Sequence, residues 1–167
     1  VAIHEAGHGN IAVATRGAGV GGRCPTKNGC LGAIHEGGGD IHAFMMFPEV
    51  GIIGEYFVNS MNGLRAPGKA KERNLTARDY FGRHNGEIHD MGNVYASIWW
   101  EVFQSYRKES REVEIEALFI EHLAGLDSRE TFSSAFEVLE AVAKQNGSSL
   151  AIDSFRREYQ RMEVDLP

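Results

Sequence analysis

The 167 residues predict a mainly α-helical unit with few or no strands. Three observations carry that expectation. Apolar residues recur every three or four positions in several stretches, which is the period of a helix with one face turned inward. No stretch alternates apolar and polar residues in the manner of a half-buried strand. Two stretches rich in glycine, proline or charge separate the periodic ones. With 43% hydrophobic residues the chain can bury a sizeable core, and its length is that of one domain. It shows no internal repeat and no linker, so residues 1–167 read as a single unit.

Residues 1 to about 15 read as the first helix, with Ile3, Ala6 and Ala14 around His4 and His8. Gly7 and Gly9 lower its intrinsic propensity, so packing must hold it. Residues 16–32 carry six glycines, one proline and both cysteines, and read as loop. A second helix is expected from near Ile34 to Phe47, where Pro48 ends it or begins the next. The stretch from Pro48 to Asn62 is also a helical candidate, with Val50, Ile53, Phe57 and Met61 in register. Residues 63–85 are polar and turn-rich, with Arg65, Pro67 and a basic cluster. Asn85-Gly86 then introduces a long helix through about Arg107. Its expected buried face is Ile88, Val94, Ile98, Trp99 and Phe103, flanked by Met91 and Tyr95. Two or three further helices follow, at about 111–123, 129–145 and 150–163. Ser128 or Asp127 is the expected cap of the second of these, and Ser149 or Ser148 of the third.

The 17 Lys and Arg stand against 23 Asp and Glu, a formal net charge of -6. No basic field exists to hold phosphates, which argues against a nucleic-acid or anionic-membrane partner. No apolar run reaches transmembrane length. Cys24 and Cys30 enclose a short loop with Pro25 and Gly29. A bridge between them suits a secreted protein and a free pair a cytosolic one, while their spacing fits no zinc knuckle. Asn74-Leu75-Thr76 and Asn146-Gly147-Ser148 match the glycosylation sequon.

His4-Glu5-Ala6-Gly7-His8 is the most informative segment. Helical residues four apart share a face, so His4 and His8 can converge on one ion. Catalytic zinc takes three protein ligands and keeps one position for water. Glu5 lies beside the first ligand and can take the proton of that water. Downstream, Glu36 and Asp40 stand one turn apart in Glu36-Gly37-Gly38-Gly39-Asp40. Glu36 is the expected third ligand, and Asp40 the acceptor for the second ring nitrogen of a liganding histidine. The glycines suit close approach of this helix to the first. His35 and His42 compete with Glu36; His35 points about 100° away from it on a helix and reads as a surface residue.

In order along the chain, these residues resemble the gluzincin metallopeptidases of the thermolysin and fungalysin type. Those carry a His-Glu-x-x-His helix, a Glu-x-x-x-Asp helix and a later catalytic histidine. Asn62-Gly63-Leu64-Arg65 is similar to the segment whose arginine holds a substrate carbonyl, which implies that role for Arg65. Asn85-Gly86-Glu87-Ile88-His89 resembles the segment whose histidine stabilises the tetrahedral intermediate, which implies that role for His89. The run from His89 to Ala96 and from Trp99 to Phe103 is closest to the fungalysin version. Thr131-Phe132-Ser133, Ala135 and the stretch Ala151–Tyr159 resemble the closing helices. The acidic partner of the histidine is not evident, and Glu87 or Asp90 could fill that place.

The resemblance implies the helical C-terminal-type half of a secreted zinc endopeptidase, extracellular or periplasmic, acting on peptides or proteins by direct attack of water. Thermolysin-like members also use calcium, although the Asp and Glu clusters here form no recognisable calcium loop. The family also has a β-rich half, and a propeptide, upstream. Val1 stands three residues before His4, so the expectation is a remnant of a larger peptidase, weakly active or inactive alone. The rival reading is a catalytically inactive zinc-stabilised domain that binds peptide or protein.

Overall fold

The computed structural model describes residues 2–15, 22–49 and 67–167. Among them lie seven α-helices: α1 (Ala2–Ala14), α2 (Leu31–Met46), α3 (Ala77–His84), α4 (Ile88–Lys108), α5 (Glu112–Gly125), α6 (Phe132–Gln145) and α7 (Ser149–Arg161), with a 3-10 turn over Pro67–Lys69. The described residues contain no strand, only an isolated antiparallel bridge between Arg23 and Glu87. The chain is thus mainly α, as its periodicity implies.

Helix α4 is the axis of the molecule. Every residue from Met91 to Trp99 is buried, and so is every residue from Leu31 to Ile41 of α2. Helix α2 lies between α1 and α4, while α3, α5 and α7 close around α4 and α6 packs on α5 and α7. Ile88, Met91, Val94, Tyr95, Ile98, Trp99 and Phe103 are all in the core, as the sequence pattern requires. Trp99 meets Phe155 with ring centroids 4.5 Å apart and Phe119 at 5.0 Å, both edge to face. Aromatic side chains of this size remove roughly 150–250 Å² each from water, on the order of 4–6 kcal/mol at about 25 cal/mol per Å². The Tyr95 hydroxyl lies 2.5 Å from Nε2 of the fully buried His122, and the two share a hydrogen bond.

Backbones in close contact replace side-chain packing where α1, α2 and α4 meet. A Cβ on Gly37 would stand 2.6 Å from the carbonyl oxygen of Gly92, and one on Gly38 would stand 2.3 Å from Ile11 Cδ1. A Cβ on Gly39 would stand 2.7 Å from His4 Nδ1, and one on Gly7 2.8 Å from the Gly39 Cα. The glycine run of α2 therefore lets two helices approach one segment from opposite sides.

The boundaries differ from the sequence reading in three places. Helix α2 starts at Leu31 rather than near Ile34, because Cys30 acts as its N-cap and accepts the Ile34 N–H at 3.1 Å. Cys30 is joined to Cys24 by a disulfide, with Cα atoms 5.2 Å apart. The stretch 63–85, read as turns, contains α3; its backbone N–H at Thr76 donates to the Asp79 carboxylate at 2.8 Å, which starts a helix despite its polar composition. Helix α6 is capped by Thr131, whose hydroxyl accepts the Ser134 N–H at 3.2 Å, not by Ser128 or Asp127. Asp127 instead accepts the Arg129 N–H in the preceding turn. At α7 the N-cap is Ser148, as expected, but its side chain makes no capping bond. From Val50 onward, the helical candidate at 48–62 lies outside the described residues, as does Arg65.

The loop around the disulfide is tied to the far end of the chain. Lys27 Nζ stands 2.7 Å from Asp165 Oδ1, and Asn28 Nδ2 donates to Asp165 Oδ2 at 2.8 Å.

Candidate metal centre

His4 and His8 occupy one face of α1, and that face lies against α2. Their Nε2 atoms are 3.0 Å apart. Glu36, on the buried length of α2, brings Oε2 to 3.5 Å from His4 Nε2 and Oε1 to 3.6 Å from His8 Nε2. The ligand atoms of all three lie within 4.8 Å of one another. A tetrahedral site with bonds of about 2.0–2.1 Å sets its ligand atoms about 3.3–3.4 Å apart. The separations in this cluster straddle that value, so two imidazoles and one carboxylate fit three of the four positions around a zinc ion.

Asp40 is one turn after Glu36 and fully buried, with Oδ1 2.8 Å from His4 Nδ1. A carboxylate there fixes the proton on Nδ1 and turns the Nε2 lone pair toward His8 and Glu36. Glu5 is exposed on the first turn of α1, next to His4 in sequence.

His89 enters from the first turn of α4. Its Nε2 is 3.4 Å from Glu36 Oε2, and about half of its side chain is open to solvent. Glu87 is the acidic partner: Oε1 stands 2.6 Å from His89 Nδ1, while Oε2 accepts the backbone N–H groups of His89 and Asp90 at 3.0 and 3.1 Å. Burial works against the charged Glu87 carboxyl. The hydrogen bonds from the His89 ring and these two amides, with the charge of His89, nevertheless hold it below the ordinary carboxylate value. Asp90, the other candidate, pairs with His84 instead.

His35 is not a surface residue. Only 1% of it is exposed, with Nε2 3.3 Å from the Thr15 hydroxyl and its ring stacked over that of His8 at a centroid distance of 6.1 Å. Burial, then the neighbouring His8, push its pKa down to about 4, with Glu36 opposing them. Helical spacing turned His35 away from Glu36, but α2 is enclosed on all sides, so that direction also leads into the protein. His42 lies two residues beyond Asp40, half-buried, outside the ligand cluster.

The family model described as fungalysin metallopeptidase matches residues 1–117, which take in α1 to α4 and the first six residues of α5. No curated protein and no solved structure matches the chain significantly.

Proposed function

The chain belongs to the fungalysin metallopeptidase family, and from that premise we propose that it is the zinc-binding catalytic part of a secreted endopeptidase. The observation that carries the reading is the convergence of His4, His8 and Glu36, with ligand atoms 3.0–3.6 Å apart, beside a half-exposed His89. His4, His8 and Glu36 hold the metal, and Asp40 orients His4. Bound there, zinc supplies Lewis acidity, which makes water nucleophilic near neutral pH and polarises the scissile carbonyl.

Glu5 accepts the proton of the attacking water and passes it to the departing amine. His89 donates from Nε2 to the carbonyl oxygen as negative charge builds there, with Nδ1 held by Glu87. Arg65 takes a substrate carbonyl, on the strength of its motif alone. No step forms a covalent acyl-enzyme. The disulfide supports secretion, since such bonds persist in oxidising compartments. No helix among the described residues is long and apolar enough to cross a membrane.

Glu5→Gln tests the reading. The variant should keep one zinc per chain by metal analysis and lose peptide hydrolysis by about 10²- to 10⁴-fold, the usual contribution of a general base. Unchanged turnover would remove Glu5 from the mechanism. A wild-type protein that holds zinc and cleaves no peptide would favour the inactive, zinc-stabilised binding domain.

A further inference from the structure

His89 is placed through a short chain of contacts. Its ring is fixed by Glu87, and Glu87 by the first amides of α4. The pair is therefore only as well placed as the turn that leads into α4. That turn carries two successive positive φ angles, 53° at Asn85 and 75° at Gly86. It follows directly on His84, the last residue of α3, so its carbonyls and that of His84 are acceptors that no further turn of α3 can satisfy.

Residues 23 and 24 take those acceptors. The Cys24 N–H donates to the Gly86 carbonyl at 2.7 Å, and the Arg23 guanidinium donates to the carbonyls of Asn85, at 3.2 Å, and of His84. Arg23 also forms the isolated bridge to Glu87. The approach is close enough that a Cβ on Gly86 would stand 2.4 Å from the Cys24 carbonyl oxygen. Arg23 is exposed, so these bonds compete with water and need a second anchor. The anchor is covalent: Cys24 is bonded to Cys30, the N-cap of the helix that presents Glu36 six residues later.

We propose that the loop closed by Cys24–Cys30 is a positioning device that ties the entry of α4 to the start of α2 and so holds the Glu87–His89 pair opposite Glu36. Cys24 and Arg23 act on the site through residues 84–86 and are positioning residues. The inference rests on the peptidase reading for its effect on rate, and on geometry alone for its effect on the turn.

The test uses the paired variant Cys24→Ala with Cys30→Ala and, because loss of the bridge could impair folding, Arg23→Ala as a second route. Three quantities are measured below the unfolding temperature: zinc content, kcat and KM for a peptide substrate, and amide hydrogen exchange. Both variants should keep one zinc per chain. Hydrogen exchange should quicken at His89 and Asp90, whose amides Glu87 holds, and stay unchanged in the second half of α6, beyond the Phe132 amide that the Asn28 carbonyl holds. A displaced His89 should lower kcat by about 10- to 100-fold with little change in KM, because it acts on the transition state and displacement by about 1 Å can cost that much. Exchange unchanged at His89 and Asp90 in both variants, or quickened equally throughout the molecule, would overturn the proposal. A wild type without peptidase activity would overturn the functional reading instead, and the exchange pattern would still decide the positioning role.

Discussion

Asp40 is a carboxylate sealed inside the protein, and its placement beside His4 Nδ1 at 2.8 Å gives it one evident task. Without it, the His4 ring loses the acceptor that selects its tautomer and holds its direction. Asp40→Ala should therefore weaken zinc affinity by about 10- to 100-fold, as measured by competition with a chelator of known affinity. An unchanged affinity would show that packing alone orients His4. Asp40 was legible in the sequence because its spacing from Glu36 is one helical turn. Glu87 was only half legible: two acidic residues flank His89, and the backbone amides at the start of α4 select the first. His35 was misread, because helical spacing gives a direction and does not say what lies there.

At the scale of elements, contact between helix backbones gives opposite expectations for two glycines of similar local conformation. Gly37→Ala puts a Cβ 2.6 Å from the Gly92 carbonyl oxygen, a backbone atom that cannot swing aside. Overpacking of this kind costs about 1–3 kcal/mol, and the thermal unfolding midpoint should fall. Gly9→Ala meets nothing within 4 Å and lies on the exposed side of α1. There the gain in helix propensity should raise stability by about 0.5–1 kcal/mol. A Gly37 variant as stable as wild type would mean that α2 and α4 can separate without loss. The periodic buried face of α4 showed plainly in the sequence, whereas α2, enclosed all round, offered no periodicity to read. Helix α3 was missed because Arg78, Asp79, Gly82 and Arg83 are exposed and only Ala77 and Tyr80 are buried. Its signal was the Thr76–Asp79 pair at one end and Asn85-Gly86 at the other.

For the molecule as a whole, the buried His122 sets a response to acid. Enclosure lowers its pKa to about 3, so it stays neutral in the folded protein. The unfolded chain takes up that proton near pH 6.5, so below that point the unfolded state binds more protons and stability falls with pH. The loss from this one group approaches about 1.4 kcal/mol per pH unit between roughly pH 6 and pH 3. Denaturant titrations across that range should show a shallower slope for His122→Gln than for wild type, and identical slopes would assign acid sensitivity elsewhere. The fold class itself was legible throughout, since it rests on helical periodicity and on the lack of alternation. The loop from 22 to 30 was legible only as loop, because its order comes from partners distant in sequence. One of those ties has a consequence for how the protein is made. Asn28 meets Asp165 across 137 positions, and a ribosome adding about 5–20 residues per second needs roughly 7–27 s to span them. Both cysteines leave the ribosome well before Asp165 is made, so the Cys24–Cys30 pair can oxidise before that contact exists. Synthesis thus supplies the local covalent clasp first and its distant latch last.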